Sequence, residues 1–491
     1  MKKIILILII IIQTNILISR TIYVGQNETY KSIYEATEVA KAGDSILVRE
    51  GIYQGGISIQ NLKGDGQNLI YIIGEPNKQI IISGGNTAIQ FSEVRSICIE
   101  NIIFERQKLN GVNVDDGGTY DTPSTRIIFK NCTFRNIDAT GNNDLLKLSG
   151  IDTFVVENCI FEKGSPGGSG IDMVGCHYGV IEGNKFNDMG SNAIQAKGGS
   201  QYIVIYRNFF ENCGQRTLNL GGSTGLQYFR PIDAKFEASD IAVWSNIFIG
   251  SISAINYVGC VNVEVINNTI IKPEKWAIRI LQETVDESRF YKASNCKFEN
   301  NILYIGNLNP AINIGPNTAP ETFVFKNNLW YNYQNTNWSG PNLPTPDPYQ
   351  IINVDPLFED LNNYNFRLKN DSKALAYVSN YINPKLDFYG NQFSAPRSIG
   401  AIESHLTNVK LNKTNKILIF PNPAKDYLNF SLSDDFNLED INNLEIYDIF
   451  GRKVYFEIVQ HNNLIKINIT YLKNGTYFIK IGNYIEKFIK I

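Results

Sequence analysis

One short pattern of apolar and polar positions recurs along most of the chain. An apolar residue is followed by two variable residues, Asn or Cys, one variable residue and a large apolar residue. Copies begin at Ile99, Phe129, Val156, Ile181, Ile205, Val243, Val265, Phe298 and Phe325. They start 22 to 38 residues apart, a length typical of one solenoid coil with three short strands and three bends. The pattern therefore predicts coils that stack about 4.8 Å apart around a continuous apolar core.

The Asn or Cys position of the pattern is expected to lie at a bend of each coil. Asn accounts for 59 of the 491 residues, and this residue favours turns and stacked ladders of side-chain amides. We therefore expect each amide to hydrogen-bond to its copies on the coils above and below. Cys132 and Cys159 hold this position on adjacent coils, where we expect free thiols in preference to a disulfide.

The strand after each copy alternates between apolar and polar residues, which predicts one buried and one exposed face. We expect the polar positions to form an exposed column along the solenoid. This polar column reads Lys147, Asp172, Gln195, Asn219, Asn256 and Arg279. The next outward column reads Ser149, Val174, Lys197, Gly221, Val258 and Leu281. Because small residues flank the polar column on its other side, the surface has the character of a groove for an extended chain.

The two ends of the solenoid have signals of their own. Residues 30–42 carry apolar side chains at helical spacing, which predicts a short amphipathic helix that covers the open first coil. Residues 337–348 are rich in Asn, Pro and Gly and predict a loop, and residues 355–402 resemble the last irregular coils.

Residues 1–19 have two lysines, an unbroken apolar run and Ser19, as in a secretory signal peptide.

The C-terminal stretch predicts a separate small β-sandwich over residues 416–491, after a linker at 408–415. It contains Pro421-Asn-Pro423, Tyr447-Asp-Ile-Phe-Gly-Arg452 and Leu472-Lys-Asn-Gly-Thr-Tyr477. These phrases resemble the type A C-terminal sorting domain of the type IX secretion system. The resemblance implies a secreted or cell-surface protein that engages that machinery through residues 416–491. An unrelated sugar-binding sandwich is the alternative.

The recurring pattern over residues 20–407 resembles the right-handed parallel β-helix of the pectin-lyase-like superfamily. The expected fold class is therefore all-β, a right-handed parallel β-helix solenoid followed by a small C-terminal β-sandwich. That fold hosts lyases, hydrolases, epimerases and inert adhesins, so the resemblance predicts architecture more than activity.

The net charge, the apolar segments and the cysteine spacing exclude several classes of binding partner and metal site. The formal net charge is -3, which offers no bulk basic character for a nucleic-acid backbone. After the signal peptide no stretch has the length of a transmembrane helix, and a monomer is expected. The seven Cys are an odd number and are spread out, which argues against a disulfide framework, and the chain has no Cys-x-x-Cys pair for zinc.

Candidate chemistry centres on Lys197. Uronate lyases remove the proton at C5 of the sugar, next to its carboxylate, and need a base together with positive charge. The surroundings of Lys197 resemble coils of β-helical lyases that use a Lys base, and Arg216 or Arg230 would neutralise the carboxylate. Tyr228 lies on an inserted loop and suits stacking on sugar. The polar column from Lys147 to Arg279 would bind the chain.

Two other chemistries fit the sequence less well. A calcium-dependent lyase needs an acidic cluster, yet Asp172 is the one acid of the polar column and Asp115-Asp116 lie coils away. No cofactor is therefore expected. Inverting hydrolases need two or three facing carboxylates, and Gln195 and Asn219 stand where a second acid should be.

Two interpretations stay open at this point. The first is a secreted lyase of acidic polysaccharide. The second is a non-catalytic, adhesin-like surface β-helix that binds glycans. They differ in whether Lys197, Arg216, Arg230 and Asp172 converge in one cleft.

Overall fold

The computed structural model divides the chain into two units, residues 1–406 and 407–491. It describes residues 19–66, 68–119, 121–379, 383–404, 418–420, 422–431, 444–448, 452–460, 464–481 and 484–490. The predicted signal peptide, apart from Ser19, and the predicted linker at 408–415 lie outside the described residues. No helix in these described ranges is long and apolar enough to cross a membrane.

The first unit is a solenoid of three parallel sheets, A, B and C, and most coils contribute one strand to each sheet in that order. Sheet A contains Thr21–Val24, Ser45–Val48, Ile70–Gly74, Arg95–Glu100, Ser124–Lys130, Ile151–Glu157, His177–Glu182, Ser200–Tyr206, Ala238–Trp244, Cys260–Val261, Glu264–Ile266, Lys297–Glu299 and Val324–Lys326. Sheet B contains Gly51–Gln54, Ile80–Ser83, Ile103–Glu105, Thr133–Arg135, Ile160–Glu162, Lys185–Asn187, Phe209–Glu211, Ile247–Ile249, Thr269–Ile271, Ile302–Ile305, Leu329–Asn332 and Ile351–Ile352. Sheet C contains Ile57–Gln60, Ile89–Ser92, Val112–Asp115, Leu146–Ser149, Ser169–Val174, Asn192–Lys197, Arg216–Gly221, Ser253–Val258, Trp276–Leu281 and Ile312–Ile314.

The predicted capping helix is present but shorter than its pattern. It covers Ile33–Thr37, and Ser32 caps its first turn through a capping box with Glu35. Ile33 and Ala36 are fully buried in the core of the solenoid. The helix therefore covers the apolar interior of the first coils.

The Asn position of the repeat forms a buried ladder of amides, as predicted. Asn184, Asn208, Asn246, Asn268, Asn301 and Asn328 each donate from Nδ2 to the side-chain oxygen of the next member, at 2.9 to 3.1 Å. The last acceptor is Asp347, and the backbone N–H of Cys159 donates to Asn184 at the other end. All seven Cys are free and buried.

Large apolar residues two positions after the ladder stack in the interior of sheet B. The stacked rings are Phe104, Phe134, Phe161, Phe186, Phe210 and Phe248, with centroids 4.6 to 5.0 Å apart. The ring spacing equals the coil spacing. One aromatic residue per coil therefore fills the same place in every layer.

The prediction that residues 355–402 form the last coils was wrong, because residues 355–379 and 383–402 add no strand to sheet A or sheet C. Phe358–Asp360 and Asn365–Leu368 form an antiparallel hairpin. This segment packs on the outer face of sheet B, where Ile247, Ile302 and Leu329 point away from the core. The physical reason is that an apolar outer face has to be covered, and the last segment covers it. Residues 337–348 are a loop, as predicted.

The second unit contains two antiparallel sheets. One has the strands Leu418–Phe420, Tyr427–Ser431, Glu457–Gln460 and Leu464–Asn468, and the other has Glu445–Asp448, Lys453–Val454, Gly475–Ile481 and Tyr484–Lys490. Leu428, Ile446, Ile467 and Phe488 belong to one buried cluster. The predicted small β-sandwich is confirmed.

The amide ladder gives a first test of the fold. Asn246→Ala removes the acceptor of two hydrogen bonds from Asn208 and the donor to Ile205. Each buried group left without a partner costs roughly 1–3 kcal/mol, so we expect the free energy of unfolding to fall by about 3 kcal/mol. Thermal and urea denaturation measure this loss, with the exposed Asn86→Ala as the control. Equal stability of the two variants would contradict a structural role for the ladder.

Candidate functional site

The polar column has the register that the sequence predicts, but the expected exposure is wrong for Asp172, Asn219 and Asn256, which are buried. Lys147, Asp172, Gln195, Asn219, Asn256 and Arg279 pair in succession along sheet C. Val174 and Lys197, two residues further along their strands, pair with each other in the next outward column. Since the parallel pairing is in register, each outward position repeats about every 4.8 Å along the solenoid.

A cleft lies over the C-terminal ends of the strands of sheet C. Its floor includes Lys147, Val174 and Lys197, and it encloses about 600 Å³. One wall is the segment at 116–118, and the other is the inserted segment 222–237, which we call the cleft loop. We call this space the first cavity.

A second cavity of about 270 Å³ adjoins the first on the same sheet. Lys197 and Ser223 line both cavities. Gln195, Arg216 and Asn219 line the second one. Lys197 therefore lies where the two halves of one groove meet.

The floor of the first cavity holds a compact group of opposite charges. Lys147 donates to Asp172 and lies 3.5 Å from Asp144, and Lys197 Nζ lies 3.4 Å from Asp172 Oδ1 and 3.4 Å from Gln195 Oε1. The Asp172 side chain is 1% exposed, compared with 21% for Lys147 and 14% for Lys197. The two ammonium groups therefore face the cavity, and the carboxylates lie beneath them.

The protonation states of this group follow from its burial. Burial, and after it the negative charge of Asp172, raises the pKa of Asp144 to about 6. Burial opposes the charge of Lys147, but the attraction of Asp172 and Asp144 outweighs it and raises the pKa of this lysine. Lys147 is therefore a permanent cation of the cleft.

Sequence reasoning missed Asp144. This residue precedes the strand Leu146–Ser149 and so has no place in the alternating pattern. It accepts a hydrogen bond from the backbone N–H of Ser169 at 2.8 Å. The sequence did contain one signal for Asp144. It lies three residues before Lys147, which is close enough for the two side chains to form an ion pair.

Arg230 lies in the wall of the first cavity, with its guanidinium turned to other protein groups. It makes two hydrogen bonds to Asp152, at 2.7 and 2.8 Å, and one to the carbonyl of Gly175 at 3.1 Å. The ring of His177 lies against both the backbone carbonyl and the guanidinium of Arg230, at 3.2 and 3.1 Å. This geometry makes Arg230 an anchor of the cleft loop on earlier coils.

A buried carboxylate holds the base of the cleft loop. Glu237 is 1% exposed and accepts hydrogen bonds from Gly198 N–H, from the backbone and side chain of Thr224, and from Thr284. At the start of the loop, a Cβ on Gly221 would lie 1.7 Å from the carbonyl oxygen of Val258, so only glycine fits there. Glu237 thereby joins the strand end after Lys197 to two loops.

An aromatic contact joins the cleft loop to the segment at 282–292. The rings of Phe229 and Phe290 lie 5.2 Å apart, and the guanidinium of Arg289 lies within 5 Å of both ring centres. Arg289 also donates to the carbonyls of Ala234 and Ile232. Tyr228, by contrast, is 64% exposed and faces the first cavity.

Three sequence-predicted site residues remain, and they differ in whether they line a cavity. Arg216 lies in the second cavity, bound to Glu283 at 2.5 Å and to the side-chain oxygen of Asn219 at 3.2 Å. Asn256 is buried and donates to the carbonyl of Leu218. Arg279 lies over the ring of Trp276 and donates to Asn313. Neither Asn256 nor Arg279 lines either cavity.

The two buried acids beneath the floor of the cleft are paired with a lysine. Asp144 and Asp172 share the ammonium of Lys147, which takes the position a cation would need. No group of three or more His, Cys, Asp or Glu that could hold a metal occurs in the described part of the chain.

Comparison with known families identifies both units. The model described as "Right handed beta helix region" matches residues 70–223 and 122–340, which together span more than half of the chain. The chain therefore belongs to the right-handed β-helix family. The model of the secretion system C-terminal sorting domain matches residues 418–490. The protein is accordingly exported by the type IX route to the cell surface or the extracellular space.

Similar solved structures are remote in sequence. Pectate lyase Pel9A is 15% identical, with 79% of this chain and 97% of that chain covered and a TM-score of 0.47. An alginate lyase from Paenibacillus sp. is 14% identical, with 68% and 99% covered and a TM-score of 0.39. A rhamnogalacturonan lyase is 12% identical, with 70% and 92% covered and a TM-score of 0.48. No curated protein matches the chain.

The raised pKa of Asp144 predicts a pH dependence of stability. Because the folded protein favours the neutral carboxyl, the contribution of Asp144 to stability falls as the pH rises from about 4 through about 6 and is level above that. Asp144→Asn stays neutral and keeps an acceptor for Ser169. We therefore expect the stability of the variant relative to wild type to rise between pH 4 and 7.

Urea denaturation at several pH values measures this difference. Asp138→Asn makes the same charge change at a half-exposed side chain and serves as the control. A relative stability of Asp144→Asn that stays constant, or that falls with pH, would show that Asp144 is not held in its neutral form.

Proposed function

We propose that this secreted β-helix acts on polysaccharide, with an extended acidic glycan lying along sheet C. The observation that carries the proposal is the position of Lys197. Its side chain lines both cavities of one groove. The groove runs across successive coils, so a polymer can contact the same strand position in each coil.

The proposed reaction is β-elimination. Lys197, as the neutral base, takes the proton at C5 of a uronate, and the electron pair of that C–H bond forms a C4–C5 double bond. The oxygen at C4 leaves with the electron pair of the C4–O bond and takes a proton from water. The C5 proton is acidic only when the neighbouring carboxylate is held by positive charge. Lys147 supplies a permanent positive charge on the same floor, in the outward column two residues before that of Lys197.

Lys147 takes the neutralising role that the sequence suggested for the two arginines. Arg230 is fully engaged with Asp152, Gly175 and His177, and Arg216 is paired with Glu283. A substrate carboxylate would have to break these pairs before either guanidinium became available. In the proposal Arg230 positions the cleft loop, and Arg216 contributes to the second cavity.

The sugar-binding groups lie around the reacting unit. Gln195 and Asn219 offer amides, and exposed Tyr228 offers a ring for stacking on a sugar face. Arg279 is three coils beyond Gln195, about 14 Å away. It suits a neighbouring unit of the chain. The mechanism calls on no cofactor, because Lys147 brings the charge that a metal would otherwise supply.

A second function is favoured by the charge balance of the floor. Asp172 lies against both lysines, and a base must be neutral when it takes a proton. A glycan-binding surface without catalysis needs only the charged form of these lysines. The two functions differ in whether the protein makes an unsaturated product.

Turnover of pectate, alginate and glycosaminoglycans separates them. We expect ultraviolet absorbance from an unsaturated product with at least one acidic polysaccharide. Lys197→Ala should lower this rate by at least 10²-fold, the usual contribution of a general base, while the affinity for oligosaccharide changes little. Lys326→Ala, an exposed lysine on sheet A, is the control.

Three results decide the proposal. Full activity of Lys197→Ala on a verified substrate would remove the catalytic role of this lysine. Binding of acidic glycans without any product would favour the non-catalytic function. Failure of the folded protein to bind any acidic glycan would contradict both functions.

A further inference from the structure

The two cavities of the groove differ in the chemistry of their linings. In the first cavity the ammonium groups of Lys147 and Lys197 face the open space, and Asp116 is an acidic residue of the lining. The second is lined mainly by amides and hydroxyls. These are Asn142, Ser191, Asn192, Gln195, Gln215, Asn219 and Ser223.

Several polar groups of the second cavity are available to a ligand. The side chains of Asn142, Ser191 and Gln215 have no hydrogen-bond partner among the described residues of the solenoid. Asn219 is 3% exposed, and its oxygen already accepts from Arg216. Amides and hydroxyls both donate and accept hydrogen bonds, which matches the hydroxyl groups of an uncharged sugar.

The charges of the second cavity disfavour an acidic sugar. Besides Lys197, which it shares with the first cavity, the second cavity has the cation Arg216, and this guanidinium is bound to Glu283 and to Asn219. The side chains of Arg216 and Glu283 are 20% and 32% exposed, so both border the open space. A uronate here would bring its carboxylate next to Glu283, and like charges at short range select against such a ligand.

We infer that the groove takes a heteroglycan in which a uronate, in the first cavity, is linked to a neutral sugar in the second. This inference rests on the proposed function and adds the substrate class. Lys197 lines both cavities, so the linkage between the acidic and the neutral unit lies beside its amine. Three coils separate Lys147 from Asn219, about 14 Å, so one glycan chain can reach both cavities.

The inference is tested with hexasaccharides of two kinds. One kind is all uronate, from homogalacturonan. The other alternates a uronate with an uncharged sugar, from a rhamnogalacturonan backbone or from hyaluronan. Calorimetric titration of the wild-type protein should give at least tenfold tighter binding for one or more alternating probes than for the all-uronate probe.

The variant Glu283→Gln tests the cause of the selectivity. It removes the repelling carboxylate and releases Arg216, so binding of the all-uronate probe should improve about tenfold while the alternating probe changes little. Glu287→Gln removes an exposed carboxylate from the same loop and should leave both affinities unchanged. This pattern would support a neutral second cavity with Glu283 as the excluding group.

Two results would overturn the inference in distinguishable ways. If the all-uronate probe binds wild type as tightly as the alternating probes, the heteroglycan assignment is wrong and the proposed function stands. If no acidic probe binds the folded protein, the proposed function fails and the inference fails with it. An unchanged selectivity in Glu283→Gln would show that this carboxylate does not exclude the second uronate.

Discussion

The structure depends on the in-register stacking of parallel coils. A shift of one residue in any coil would turn its outward side chains into the core. The amide ladder from Asn184 to Asp347 resists such a shift, because each amide reaches its partner only when the bends coincide. Buried amides without partners are costly. The ladder therefore fixes the register of the bends, and the register places Lys147, Gln195 and Lys197 on one surface.

The sequence predicted the features that recur from coil to coil. The ladder, the polar column and the alternation of sheet C appear as repeated letters, so counting positions is enough to find them. Contacts that join different loops have no such repetition. Arg230 meets Asp152, 78 residues earlier in the chain, and Glu237 meets Thr284, 47 residues later. No local pattern connects these pairs, and the walls of the cleft depend on them.

The same limit explains why the role of the arginines could not be read from the sequence. The sequence predicts that Arg216 or Arg230 neutralises a substrate carboxylate, but Glu283 and Asp152 bind their guanidinium groups. A cation in a partly buried site is stable only with such a partner. The lysines of the floor obey the same rule through Asp172 and Asp144, yet their ammonium groups still border the cavity. The lysines of the floor can therefore bind an acidic ligand, while the paired arginines stabilise the structure around the cavities.

The central claim is that an acidic glycan binds over Lys147 and Lys197, along the coils of sheet C. A crystal structure of the protein soaked with a uronate-containing oligosaccharide tests it most directly. We expect a sugar carboxylate within ion-pair distance of both lysine Nζ atoms, with the glycan running along the solenoid beside Tyr228. A sugar ordered on another face, or one whose carboxylate avoids both lysines, would contradict it.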